Sequence, residues 1–287
     1  MAISSSIGAK VQSRLGLFLR EKVAGTDAPA RAEEIWGAEG ERWFTPEDPI
    51  WRVHADAAMF PGGMASLLMQ MLHPLAMAGV AGHSGYRSDP WGRLQRTSHY
   101  IASTTFGTIE TAEAAITKVR DIHTRVRGKD AQGRSYAASD PRLLTWVHLA
   151  EVKMFLDAFQ TYGAQRLSAQ EADQYVAQAG QSARLLGVPD PPQTVQQLDA
   201  QLADYRSELE VTSEARQAAK FLLLNPPVPL PLRPGYGIVA AGGVGLLPAW
   251  SRRMLGLYIP EFAAGAVIKP VGRAGTSTIR WAMSALR

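Results

Sequence analysis

Apolar residues recur three and four positions apart along nearly the whole chain, and sustained alternation is absent. The pattern predicts helices throughout and no strands. Residues 64–80, MASLLMQMLHPLAMAGV, are apolar on almost every side, which places them in the interior, with Pro74 expected to kink them. Asp89-Pro90 is a helix start: Asp caps exposed N–H groups and Pro suits the first helical position. That helix should run from Trp91 to about Thr105 and stop at Phe106-Gly107, with a second one from Thr108 or Thr111 to about Val126. Residues 128–140 read as polar turns. Asp140-Pro141 opens a long helix through Tyr162, and Ser168 with Glu171 opens another. Residues 194–209 are again helical, and Asn225 to Pro231, with four prolines, is the clearest boundary. Three stretches of one all-α domain follow: 1–45, an N-terminal helix and connection; 46–225, a helical core; and 226–287, a Pro-rich connection, a small helical layer and a tail.

Composition narrows the chemistry. The 287 residues include no cysteine, which removes disulfides, iron–sulfur clusters and thiolate-bound metals. A net charge of +4 with scattered arginines argues against a nucleic-acid partner. The N-terminus lacks a secretory apolar core, and the longest apolar run is too short for a membrane span of about 20 residues. The expectation is a cytoplasmic protein. Val80 to Tyr86, VAGHSGY, imitates a nucleophile elbow around Ser84, but that motif needs a strand before the serine, and a helix is predicted there. Ser84 reads as a turn residue. Gly235-Tyr236-Gly237 fails as a dinucleotide motif for the same reason.

Six histidines remain: His54, His73, His83, His99, His123 and His148. None has a glutamate three residues before it, so the di-iron pattern is absent. His123 continues the stripe Ile109, Ala112, Ile116, Val119 and Val126, and the pattern leaves open a core histidine or a ligand. Arg93, Arg96, Thr97 and Tyr100 share a face of the preceding helix. They make either a solvated face or a cationic, donor-rich wall.

The order of Pro61-Gly62-Gly63, Leu72-His73-Pro74, Asp89-Pro90, Arg93-Leu94-Gln95-Arg96-Thr97, Phe106-Gly107, His123, Trp146-Val147-His148, Leu247-Pro248 and Arg252 to Leu257 resembles one family. It is the MpaB-type oxygenases, which include the latex-clearing rubber oxygenases, and the resemblance covers roughly residues 40 to 260. It implies an all-helical fold with a globin-like core around a non-covalent haem b, and dioxygen as co-substrate. His123 stands in the place of the axial iron ligand. Arg93 and Thr97 match the distal-side catalytic arginine and threonine, and Arg96 would bind a propionate or a substrate anion. His73 and His148 read as packed helix residues or as groups at the haem edge. The implied reaction is oxygen insertion into, or oxidative cleavage of, an apolar small or medium organic substrate. Two departures point away from polymer cleavage. Arg96 stands where rubber oxygenases carry lysine, and an arginine cannot lose a proton to ligate iron. Met77 and Ala78 lie in the area where that branch has an acid/base glutamate. Two other functions fit the same residues: a haem or oxygen carrier without turnover, and a metal-free helical ligand-binding protein.

Overall fold

The computed structural model describes residues 2–286, with side chains from Gly8 onward. Helix accounts for 73% of the chain and strand for 2%, which settles the all-α class. Helix α1 (Ala2–Ala24) and the short α2 (Ala28–Ala32) lead into α3 (Pro49–His54). The apolar segment that follows is two helices, α4 (Met59–Gln70) and α5 (Pro74–His83), bent by 108°. Pro74 therefore starts a new helix instead of kinking one. It forces His73 into an extended conformation with ψ 117° and takes the first helical position of α5 itself.

The next four helices start and stop close to where their caps predict: α6 (Pro90–Phe106), α7 (Ile109–Arg125), α8 (Pro141–Tyr162) and α9 (Ala169–Leu186). Asp89 accepts from the Gly92 N–H, Thr108 from Thr111 and Asp140 from Arg142, and Ser168 forms a full capping box with Glu171. Between α7 and α8, where turns alone were expected, lies a small antiparallel hairpin of β1 (Arg127–Lys129) and β2 (Ser135–Ala137). Gly128 faces Tyr136 across it, and the tyrosine ring lies over the glycine.

The C-terminal part is larger than expected. After α10 (Val195–Asp204) and α11 (Ser213–Leu224) come α12 (Arg233–Leu246), α13 (Ala249–Met254), the one-turn α14 (Glu261–Ala263) and α15 (Lys269–Ser284). The presumed tail is thus a 16-residue helix. It buries Gly272, Thr276, Ile279 and Ala282 and packs against α1 and α12. At the α12–α15 crossing the backbones nearly touch: a Cβ added at Gly272 would lie 2.8 Å from Gly242 Cα and 2.8 Å from the Tyr162 hydroxyl. The same hydroxyl donates to the Gly242 carbonyl at 2.9 Å. Arg280 clamps α15 to the domain, its guanidinium held by both oxygens of Asp56 at 2.7 and 3.0 Å and by the Tyr162 carbonyl. Gln12 of α1 donates to the Trp281 carbonyl at 2.7 Å.

Helix α8 is the central pillar, with Trp146, Leu149, Ala150, Met154 and Ala158 sealed from solvent against α4 and its neighbours. Among the described residues no single helix is long and apolar enough to cross a membrane. Helices α4 and α5 reach that length only together, across their bend.

Candidate functional site

Helices α6 and α7 pack against each other across the two-residue connection Gly107-Thr108. His99 on α6 lies within the electrostatic reach of Lys118 on α7, as an antiparallel pair requires. That arrangement brings the last turn of α7, with His123, alongside the first turns of α6, with Arg93 and Thr97. The predicted stripe of α7 faces inward: Ala112 and Ile116 are buried, while Val119, His123 and Val126 are partly buried. The Nδ1 atom of His123 is buried without a hydrogen-bond partner. Burial pushes the ring's pKa down and no neighbouring charge opposes it, so His123 is a neutral imidazole with an uncommitted Nδ1.

Arg93 and Arg96 take different directions. Arg93 turns back to the end of α5, where its Nη1 donates to Ser84 Oγ at 2.8 Å. Ser84 in turn donates to the Val80 carbonyl at 2.7 Å. Ser84 is the C-cap of α5, and Gly85 after it takes φ 61°, so the serine is a turn residue that orients an arginine and is no nucleophile. Arg93 has no carboxylate partner, and desolvation lowers its pKa. A half-buried guanidinium with a single side-chain partner keeps donors free for an anion. Arg96, by contrast, lies at the surface and pairs with Asp89 at 3.1 Å. Thr97, one turn after Arg93, is exposed.

The floor of the site comes from α8. Leu144, His148, Glu151 and Phe155 lie on one face of this helix, about 100° per residue apart in steps of three and four. Trp146 points the opposite way. His73 packs against Trp146 and Tyr205 and reaches Glu208 at 3.5 Å, which puts it on the far side of α8 from His148. The structure therefore places Arg93 and Thr97 in the first turns of α6 and His123 in the last turn of the antiparallel α7, with His148 on α8, and leaves His73 and Arg96 elsewhere. Burial lowers the His148 pKa to about 4, with Arg184 of α9 adding to the effect, and its buried Nε2 has no partner.

Glu151 was not singled out in the sequence. Its carboxyl has lost enough solvation to raise its pKa to about 7, and no cation or donor offsets that loss. Tyr100 of α6 and Tyr175 of α9 both lie within its electrostatic reach, and desolvation raises both phenol pKa values. Tyr175 also reaches His54 Nε2 at 3.5 Å, while His54 Nδ1 pairs with Thr105 at 2.7 Å. A signal existed: Glu151 follows His148 by three residues, on the helix face shared with Leu144 and Phe155. A search for glutamate before histidine passes over it.

The main apolar cluster contains Phe155, Tyr175, Val176 and Ala179, and a separate small one contains Leu144, Ala183 and Val188. Between them the inward face of α8 carries His148 and Glu151, both only partly buried, as are Tyr100, Ile101, Val147 and Ser182 around them. One turn further along α6, Ser103 to Phe106 are all sealed. Two shallow surface concavities, one beside Trp43 and Phe44 and one beside Thr108 and Glu113, are lined by none of His123, His148, Arg93 or Glu151. Among the described residues no three His, Asp or Glu side chains converge to hold a bare metal ion.

The fold is mostly helix, and Ser84 stands in no nucleophile elbow. A family model described as "ER-bound oxygenase mpaB/B'/Rubber oxygenase, catalytic domain" matches residues 51–281. The chain belongs to this mpaB/rubber oxygenase family. No curated protein and no solved structure matches it.

Proposed function

We propose that the protein is a haem b-dependent oxygenase acting on an apolar small or medium organic molecule, in which His123 would hold the iron. The observation that carries this reading is the pairing of an inward, neutral histidine that has an unsatisfied buried nitrogen with a desolvated arginine that lacks a counter-ion, in a chain of the oxygenase family. A porphyrin carries its own four nitrogen ligands and asks the protein for one imidazole, and its propionates are anions. The residues present fit both needs, and the globin-like core implied by the family belongs to this proposal. Bound haem would supply the one-electron chemistry that lets dioxygen react with a closed-shell organic substrate.

The chain's own residues have separable tasks. His123 is held neutral by burial, as a ligand nitrogen must be. Arg93, oriented by Ser84, holds a fixed positive charge on the α6 side, where a propionate or negative charge developing during the reaction is stabilised without reorganisation. Thr97 adds a hydroxyl one turn along the same helix. Val80, Tyr86, Ile101 and Val147, partly buried against the main core, give the apolar walls for a substrate. His148 stays neutral on the α8 side and can offer a hydrogen bond to a cofactor edge. Arg96, paired with Asp89 at the surface, and His73, beyond α8, have no part in this proposal.

The test is an absorption spectrum of the purified protein after haem supplementation, for wild type and His123→Ala. A Soret band in wild type that is lost or strongly shifted in the variant is expected. A wild type that takes up no haem, or a variant with an unchanged spectrum, overturns the axial assignment.

A further inference from the structure

We propose that the concavity between Trp43 and helix α9 binds an uncharged sugar, with the sugar ring stacked on the indole and its hydroxyls held by glutamine amides. This goes beyond the oxygenase reading and does not rest on it, because the concavity is lined by none of the residues assigned to the haem.

The concavity has a volume of about 480 Å³ and is lined by Trp43, Phe44, Gln174, Ala177, Gln178 and Gln181. That volume lies within the range of small-ligand sites. On one side Trp43 and Phe44 stand edge to face with ring centroids 6.4 Å apart; Phe44 is buried and Trp43 is partly exposed. On the other side Gln174, Ala177, Gln178 and Gln181 form one stripe of α9, opposite the buried Tyr175, Val176 and Ala179. Asp48 joins the two sides. Its Oδ2 accepts from the Thr45 N–H at 2.8 Å, and its Oδ1 accepts from the amides of Gln174 and Gln178. Gln178 also accepts from the Ile50 N–H at 3.1 Å. Arg42 fixes the chain just before Trp43 by donating to the carbonyls of Ile35, Ala38 and Phe106. A ligand therefore meets walls that are already ordered, which spares it the cost of ordering them.

The ligand class follows from the lining. None of the six residues is charged, in a chain of which 20% is Asp, Glu, Lys or Arg. An ion entering here would give up water for no counter-ion, so the site selects a neutral molecule. The Gln181 amide is bonded to no described residue, and Gln174 keeps its carbonyl oxygen free. An amide presents a donor and an acceptor side by side, and a hydroxyl both donates and accepts, so neighbouring hydroxyls on a ring match it. The negative face of the indole takes the slightly positive C–H face of a saturated ring. A hydrocarbon would leave the amides unpaired. An open-chain polyol has the hydroxyls but no flat face to stack, and it would lose more internal freedom on binding.

The experiment follows the indole N–H signals of the full chain, labelled with nitrogen-15, by NMR. Of the seven tryptophans, Trp43 is assigned as the signal missing from Trp43→Phe. The probes are cellotriose and maltotriose, with sorbitol as a polyol that lacks a ring. At least one of the sugars should move the Trp43 signal and saturate with a Kd of about 1 mM or below, while sorbitol leaves it in place. Gln181→Leu should weaken that sugar about three- to tenfold, the size of a neutral hydrogen bond, with the other indole signals unmoved. A Trp43 signal that neither sugar moves at about 20 mM, roughly twentyfold above that Kd, overturns the proposal. So does a shift of equal size with sorbitol, and so does an unchanged sugar affinity in Gln181→Leu. A signal that moves with N-acetyl-trialanine amide but with neither sugar overturns it as well and marks a peptide site instead.

Discussion

Arg93 gives the sharpest separation between a functional and a structural arginine, because the two roles predict opposite signs for the same substitution. In Arg93→Met the chain keeps a long apolar side chain and loses the charge. The loss is one hydrogen bond to Ser84 Oγ, worth about 1.5 kcal/mol for a charged donor. Ser84 is not stranded, since its own proton stays on the Val80 carbonyl. The gain is relief from desolvating a cation without a counter-ion. That penalty reaches several kcal/mol for a fully buried ion, and here it is taken at about 3 kcal/mol because Arg93 is only partly buried by area. The net expectation is stabilisation by about 1–2 kcal/mol. At about 2.1 cal/mol/K per residue, the unfolding entropy of 287 residues is about 0.6 kcal/mol/K, so Tm should rise by about 2–3 °C. Calorimetry of wild type and variant without ligand checks the sign, and a haem titration of both should show weaker uptake by the variant. A variant that melts below wild type refutes the reasoning, because Arg93 would then be serving a structural partner.

Two further predictions concern pH and packing. Burial lowers the pKa of His54 to about 3 and of His148 to about 4 from 6.5, so each favours the native state above about pH 6.5, and that stability is lost as pH falls toward the folded values. Glu151 acts in the opposite sense: raised from 4.5 to about 7, it favours the native state below 4.5 and loses that contribution as pH rises through 7. Urea midpoints between about pH 4 and pH 8 should therefore show Glu151→Gln gaining on wild type as pH rises, and His54→Gln losing less than wild type on acidification. A pH-independent difference for either refutes its assignment. Gly272→Ala should cost about 2–3 kcal/mol, because the new methyl meets Gly242 Cα and the Tyr162 hydroxyl at 2.8 Å and neither can retreat within the α12–α15 crossing. An unchanged urea midpoint would show that the crossing is looser than described.

Legibility in the sequence followed the range of the interaction. Asp89, Thr108, Asp140 and Ser168 could be read as helix starts because capping is settled within three residues. The hairpin around Gly128 and Tyr136 could not, since its strands are three residues each and one is Arg-Gly-Lys, with no alternation to detect. Helix α15 passed for a tail because its inward face is Gly272, Thr276, Ile279 and Ala282. That spacing is regular, but small and polar side chains register weakly as an apolar stripe, and their value lies in close approach to a partner helix. In the candidate site, the inward placement of His123 was written in its stripe. The divergence of Arg93 and Arg96 was not: they share a helix face, and what separates them is Ser84 drawing one side chain and Asp89 the other. His73 was adjacent in sequence to apolar helix residues yet lies across α8, because Pro74 turns the chain through a right angle that periodicity could only read as a kink.

The pairing of α1 with α15 also bears on how the chain comes off the ribosome. Gln12 and the Trp281 carbonyl it bonds are 269 residues apart. At about 5–20 residues per second, α1 waits some tens of seconds for the surface that will cover it. Closing so long a loop adds little to the equilibrium cost, which grows only with the logarithm of its length, but it makes this contact among the slowest to form. The helical core between them can assemble while synthesis continues, whereas the seam between α1 and α15 waits for α15 to emerge, and until then the inner face of α1 is available to chaperones or to another copy of the chain.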